Sequence, residues 1–377
     1  MVNRVKSSLW KNLLKYGLAI GLLVYVVSLN WEEKTREPTP AQAAHSLVAG
    51  GASYVAIVQI RTTPGLKDVL SQKIEYPPLA CAFLVAALAL MVTFIRWHLL
   101  VRAQGLEFSR WNAIRLGLVG FFFNTILPTS VGGDILKAIA ISKEQSRRTV
   151  AVATILIDRV VGLWALAWYV AIVGGIFWVV GDPFLTEKPA IQTIWLISSL
   201  AAIIPSVLWL SMRLIPSTLS AKLSDRLSRV PLAGRALKEL WLAGWIYRDK
   251  YGVIFAALLM SFLSHSGWVA VFHFVVISFP SLSPASFWEH MILVPVGMTA
   301  QAMVPLPGGV GGGEAAYGYL YLLIDKPSSV GVLGSMVQRA VMYSLGFIGY
   351  LVYLTMKSDA KKIPEKSLNE PLASQTS

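Results

Sequence analysis

Apolar residues in this chain run in long unbroken blocks. Six blocks, at about 13–29, 79–100, 150–180, 190–212, 251–279 and 330–356, approach or exceed the roughly 20 residues that a helix needs to cross a bilayer. None alternates with a period of two, so they predict helices and not the strands of a barrel. Two further apolar stretches are interrupted by turn residues. The first, 113–136, contains "NTILPTSVGGD"; the second, 287–324, contains "PLPGGVGGGEAAYGYLYLL". Proline removes a backbone donor and ends a helix, and glycine admits dihedrals that other residues avoid. Each stretch is therefore predicted as a hairpin of two half-helices that enters the membrane and returns on the same side. Full crossing by both limbs satisfies the count of crossings equally well; the shortness of 113–127 and 312–324 disfavours it.

Composition agrees with the pattern. The 377 residues are 55% hydrophobic and only 14% charged, more apolar surface than a soluble domain can bury. The fold class is an all-α polytopic membrane protein, with about six full spans and two broken, re-entrant hairpins. The one cysteine, Cys81, excludes a disulfide framework, and no metal or cofactor is expected. The excess of 33 Lys and Arg over 20 Asp and Glu could signal nucleic acid, but its distribution fits a membrane better. Segments 1–15, 96–115, 137–148, 213–250 and the tail from Lys357 hold 24 of the 33 basic residues; the remaining loops are slightly acidic. Basic loops stay cytoplasmic, which places both termini on the cytoplasmic side of the plasma (inner) membrane.

The domain reading follows. Residues 1–30 form a membrane anchor, preferred over a cleaved signal peptide because the small-residue stretch "AQAA" at 41–44 lies well beyond the apolar part. Residues 31–78 lie outside as a small cap or with no fixed structure, 79–356 form the membrane domain, and 357–377 a disordered cytoplasmic tail. The 213–250 loop has helical spacing of leucine and basic residues and predicts one or two amphipathic helices on the cytoplasmic leaflet. Trp97, Trp111, Trp178 and Trp288 read as interfacial anchors.

The two breaks resemble each other. "PTSVGGD" ends at Asp134 and "PGGVGGGE" at Glu314; Arg159 and Arg339 each follow 25 residues later. The order span, broken hairpin, span thus occurs at 79–180 and again at 251–356, with 190–212 in the linker 181–250 reversing the second copy. In secondary transporters, such inverted repeats place the substrate site at the repeat interface. Broken backbone at membrane depth is tolerated where protein buries it or water reaches it, and the amides opening the next half-helix suit an anion. The hairpin backbone residues are Pro128, Gly132, Gly133, Pro307, Gly308, Gly309, Gly311, Gly312 and Gly313. A charge near the bilayer centre costs roughly 2.5–3.5 kcal/mol, so Asp134, Arg159, Glu314 and Arg339 need partners. They serve either as ion pairs that hold the hairpins or as ligand contacts, and both can hold together.

Three other side chains join the candidate binding set. Lys137, one turn after Asp134, could meet a phosphate. Tyr317 shares a helical stripe with Glu314, Gly318 and Tyr321. Asn124, four before Pro128, is better suited to freed backbone groups than to a ligand. His265 and His273 face about 80° apart on one helix and have no carboxylate neighbour, which argues against a metal or proton relay. Gly309 and Gly313 also fit small-residue helix packing, though packing does not call for two prolines and a carboxylate. A dinucleotide loop fails, because Glu314 stands where its third glycine belongs.

"RWHLLVRAQGL", "FFFNTILPTSVGGDILKA", "DRVVGL" and "PLPGGVGGGEAAYG", taken in order, resemble the lysylphosphatidylglycerol synthase transmembrane family. It is also called the flippase-like domain family and includes the membrane half of the multiple peptide resistance factor. The resemblance covers roughly 79–356; Lys137 stands where the family more often has arginine. Members with a fused cytoplasmic synthase transfer lysine to phosphatidylglycerol, and the twenty residues after Lys357 leave no room for that domain. What the resemblance implies is the translocating part: a flippase or scramblase-like transporter moving a phospholipid or lipid-linked headgroup between leaflets, and not an enzyme. Its partners are then membrane lipids, anionic or lipid-linked, with a lipid-modifying enzyme as a further candidate and no nucleic acid. The alternatives are a membrane-embedded transferase or hydrolase for a polyprenyl-phosphate substrate, with Asp134 or Glu314 as base, and a non-transporting partner of a lipid-modifying enzyme.

Overall fold

Pro77 and Pro78 open the first long helix of the membrane domain, where a missing amide donor costs nothing, and Gln104 and Gly105 close it. The computed structural model describes residues 2–32, 34–36, 61–63, 65–71, 73–127, 132–145, 147–231, 234–280, 284–304 and 306–362. Helix α1 spans Val2–Leu29. Strands β1 (Lys34–Arg36) and β2 (Arg61–Thr63) pair antiparallel, and α2 (Leu66–Leu70) follows. The 31–78 segment thus holds a two-stranded ribbon among its described residues; 37–60 lie outside them.

The first repeat comprises α3 (Tyr76–Ala103), α4 (Arg110–Ile126), α5 (Gly132–Glu144) and α6 (Arg148–Val180). A short α7 (Pro183–Thr186) and the span α8 (Pro189–Ser211) lead to α9 (Ser217–Ser228) and α10 (Gly234–Ile246). These last two are the helices predicted for the basic loop; they pack on each other, with Trp241 Nε1 donating to Ser220 Oγ at 3.0 Å. The second repeat comprises α11 (Tyr251–Ile277), α12 (Phe287–Met303), α13 (Gly312–Leu323) and α14 (Ser328–Lys362).

The two repeats match element by element. Their helices have 28, 17, 13 and 33 residues in the first and 27, 17, 12 and 35 in the second. Their contacts match as well. Helix α3 packs along α11, the hairpin limb α4 packs on α14 of the other repeat, and the limb α12 packs on α6. This reciprocal exchange is what a two-fold relation between the halves requires.

In each hairpin the far ends of the two limbs lie side by side; the hairpins are named inner and outer after the sides that the basic loops predict. At the inner one, Gln145 Nε2, just past α5, donates to the Glu107 carbonyl just before α4 at 2.6 Å, and beside it Arg147, before α6, donates to the Gln104 carbonyl at the end of α3 at 3.1 Å. At the outer one, His290 on the first turn of α12 meets Tyr321 near the end of α13, with Nε2 and Oη 2.5 Å apart. The limbs are unequal: at 1.5 Å per residue, α4 and α12 run about 25 Å and α5 and α13 under about 20 Å.

Among the described residues, five helices are long and apolar enough to cross a membrane: Tyr76–Ala103, Arg148–Val180, Pro189–Leu214, Tyr251–Ile277 and Ser328–Met356. The sixth expected span is the apolar part of α1, Leu13–Leu29, which is shorter than the others. Helix α14 continues to Lys362, beyond the predicted start of the tail, and 363–377 lie outside the described residues. Trp111, Trp178 and Trp288 are exposed as anchors should be. Trp97 is not: it is 1% exposed and packs in a core with Phe108 and Leu116. It sits a full turn and a half inside α3, where the interfacial reading of a lone tryptophan fails.

Candidate functional site

At the inner break, Ile126 ends α4 and Gly132 starts α5; Pro128, the residue expected to end the limb, lies outside the described residues. Asn124 reaches across. Its Oδ1 accepts from the Gly133 amide at 2.8 Å and its Nδ2 donates to Asp134 Oδ1 at 3.4 Å. Asp134, in the first turn of α5, accepts from Lys137 Nζ at 3.1 Å on one oxygen and from Arg159 Nε on the other. Lys137 also lies 4.8 Å over the Trp97 ring, so its ammonium is held between a carboxylate and an aromatic face. Gly133 is required by contact and not by dihedral. A β-carbon there would stand 1.8 Å from the Gly120 carbonyl oxygen of α4.

At the outer break the dihedrals do demand glycine. Gly308, Gly309 and Gly311 have φ of 56°, 68° and 80°, the left-handed region that side chains avoid. Gly312 and Gly313, like Gly132 and Gly133, are instead the opening residues of a helix. Glu314 folds back so that Oε2 accepts from the Gly311 amide at 2.7 Å, while Oε1 accepts from Arg339 Nε at 2.8 Å. Arg339 Nη1 and Nη2 donate to the Gly308 and Gly309 carbonyls. Gln301 Nε2 adds a bond to the Gly308 carbonyl at 2.9 Å. The freed polar groups of the break are therefore bound by side chains of the protein itself, as buried backbone must be.

One opening amide at each break is taken by a side chain of the protein: Asn124 holds that of Gly133 and Glu314 that of Gly311. Tyr317 is displaced from the expected site. It is fully buried, stacked 4.7 Å from Phe272, and its hydroxyl donates to the Val294 carbonyl.

The two breaks meet. A β-carbon on Gly308 would lie 3.1 Å from the Thr125 carbonyl oxygen, so the tip of one hairpin rests on the tip of the other. Beside this contact lies a cavity of about 320 Å³. Arg159 and Asn124 of the first repeat line it together with Arg339, Gly308 and Gly309 of the second. The structure thus gathers both arginines and Asn124 at one cavity. Asp134 and Glu314 stand behind their arginines, and Lys137 stands on the far side of Asp134.

Sequence reading missed several polar residues on the same wall, among them Gln301, Gln338 and Tyr343. Gln301 had a signal: it stands four residues before Pro305, as Asn124 stands four before Pro128. A third ion pair was missed too. Arg96 Nε donates to Asp158 Oδ1 at 2.8 Å and Nη1 to Ser261 Oγ at 2.7 Å, with both charged residues buried. Arg96 was counted with the cytoplasmic loop; it belongs to α3, and the acidic neighbour of Arg159 was the available clue. The histidines gain partners as well. His265 Nε2 meets the Gly162 carbonyl at 3.0 Å, and His273 Nδ1 meets His290 Nδ1 at 3.0 Å. Among the described residues, no group of three or more His, Cys, Asp or Glu could hold a metal.

The comparisons with known proteins cover these same elements. The chain is 23% identical to a UPF0104 membrane protein of Methanocaldococcus jannaschii over 324 residues, 82% of this chain and 94% of that one. Residues 47–349, which include both hairpins and all four arginine and carboxylate positions of the breaks, match the family model described as the lysylphosphatidylglycerol synthase TM region. The chain is a polytopic membrane protein that belongs to the lysylphosphatidylglycerol synthase transmembrane-region family.

Proposed function

We propose that this protein moves a phospholipid or lipid-linked headgroup from one leaflet to the other, with the cavity between the hairpin tips as its polar waypoint. One observation carries the reading: Arg159 from the first repeat and Arg339 from the second line the same cavity, where the two interrupted segments touch. An isolated charge in hydrocarbon is costly, and guanidinium donors at a cavity, together with the surplus positive charge of Asp134, Lys137 and Arg159, lower the barrier for an anionic group. Guanidinium is also the side chain best matched to phosphate oxygens.

In this reading the tips act as two gates. The contact of Gly308 with Thr125 is, in this reading, the closed seam between them. Parting the inner tip would open the cavity to the cytoplasmic leaflet, taking the basic loops as cytoplasmic; parting the outer tip would open it to the other leaflet. The acyl chains stay in lipid throughout. The family membership supports a lipid-related role, and the match is to the transmembrane region, which carries no synthase chemistry in this proposal.

The test is reconstitution of the purified protein in liposomes with a fluorescently labelled phospholipid and a membrane-impermeant quencher. Translocation leads to quenching beyond the outer-leaflet share. Quenching confined to that share, across anionic and zwitterionic lipids, would overturn the proposal; a chemically altered lipid on chromatography would instead favour the transferase alternative.

A further inference from the structure

A second cavity of about 540 Å³ adjoins the first and differs from it in character. Its walls are α1, through Ala19, Ile20 and Leu23, together with Phe122, Ile126 and Phe347 of α4 and α14. Ile20, Ile126 and Phe347 are 61%, 46% and 56% exposed, so the groove opens sideways to the surroundings of the helices, which for a membrane domain are lipid chains. Helix α1 belongs to neither repeat. It is fastened across the groove by the Tyr16 hydroxyl, which donates to the Ile126 carbonyl at 2.7 Å, and at its other end by Asn30, whose Oδ1 accepts from Ser328 Oγ.

The groove and the polar cavity share Thr125, Arg339 and Tyr343. A glycerophospholipid has the same layout: a polar headgroup, a phosphate at the junction, then apolar chains. We infer that the groove between α1, α4 and α14 is the chain subsite for a glycerophospholipid whose phosphate sits at Arg339 and whose headgroup lies toward Arg159. Arg339 can serve there, because its contacts to Glu314, Gly308 and Gly309 use three of its five N–H donors. The inference rests on the lipid-moving reading and adds to it the part of the lipid that is bound, the side from which it enters and the element that walls it.

Photolabelling of the full-length protein in nanodiscs tests it. The probe is phosphatidylglycerol with a diazirine in one acyl chain, read by peptide mass spectrometry, with and without excess unlabelled phosphatidylglycerol. The lipid-facing surface of α8, from Leu196 to Leu210, reports the unspecific background. Labelling of 19–23, 122–126 and 343–347 should exceed that background and fall on competition. Ala19→Phe, which fills the groove, should lower the specific labelling about tenfold or more, the effect of displacing a few buried methylenes.

Groove labelling no stronger than that of α8 overturns the chain subsite. Competition by a polyprenyl phosphate but not by phosphatidylglycerol overturns the choice of lipid. The two readings fail separately: specific labelling without movement in liposomes sinks the transport reading and keeps the subsite, while movement without specific labelling does the reverse.

Discussion

The two hairpins are built from the same parts at the same spacing, yet their ion pairs face different surroundings. Glu314 has no exposure and the Arg339 side chain 9%; the pair clamps the Gly308–Gly309 turn from inside. Asp134 is nearly as buried, but the Arg159 side chain is 37% exposed and looks into the central cavity. The balance of charge differs too. Three residues after Glu314 stands Tyr317, stacked in the core; three after Asp134 stands Lys137, a second cation on the same carboxylate. The outer cluster is neutral and the inner one carries one surplus positive charge. Equal spacing in a sequence therefore does not mean equal duty. Both pairs brace a hairpin and both arginines edge the cavity, but Arg339 is mostly committed to the turn it clamps while the Arg159 side chain is the more exposed of the two.

The largest effect is expected where the pair is most enclosed. Glu314→Gln would leave Arg339 buried without a counter-ion, a loss of about 3–5 kcal/mol. Thermal unfolding of the purified variant should show a large drop in midpoint, or no folded protein at all. Arg159→Gln should act the other way round. Its side chain is partly exposed, so the folded protein should remain, while translocation in liposomes falls by roughly tenfold to a hundredfold for the loss of one charge-assisted contact to the passing group. If both variants unfold the protein, or both spare the fold and stop transport, the contrast between the two pairs is wrong.

A smaller contrast separates the two amide side chains. The Gly133 amide has Asn124 as its acceptor, so Asn124→Ala should cost about 1–3 kcal/mol for a buried donor left alone. The Gly308 carbonyl is held by Arg339 as well as by Gln301, so Gln301→Ala should cost less, about 1 kcal/mol or below. Chemical denaturation of the two variants side by side measures the order directly.

Much of this was legible in the sequence because the strongest signals were local. Long apolar runs fix helices, and Pro-Gly clusters between short ones fix hairpins; the limbs 110–126, 287–303 and 312–323 fall close to where the breaks in "NTILPTSVGGD" and "PLPGGVGGGE" put them, while the limb 132–144 runs eight residues past its expected end at 136, into sequence counted as a basic loop. The 25-residue interval from acid to arginine was likewise enough to pair Asp134 with Arg159 and Glu314 with Arg339. What escaped depends on distant partners. Arg96 finds Asp158 across 62 residues, where the acid beside Arg159 marks a charge but not its partner, and Trp97 is buried because α4, α5 and α6 close over it, which has no local mark. Tyr317 shares a helical stripe with Glu314 as periodicity says, but periodicity does not tell whether the stripe meets a cavity or Phe272.

Lys137 gives the mildest and most specific test of the comparison. Its ammonium competes with Arg159 for Asp134; without it, Arg159 and the amide of Asn124 hold the carboxylate and the inner cluster becomes neutral like the outer one. Lys137→Met keeps much of the apolar stem that packs against Gly120 and Trp97, and Asp134 keeps one cation, so the folded protein should remain, with a smaller loss of stability than in Glu314→Gln. Arg159 would then be drawn more tightly to Asp134 and offer less to an anion in the cavity. The expected result is a loss of about threefold to tenfold in apparent affinity for an anionic lipid, with a smaller change for a zwitterionic one, and Lys137→Arg should restore it. Equal losses for both lipids would mean that the surplus charge does not select the headgroup, and the inner pair would then be a brace and nothing more.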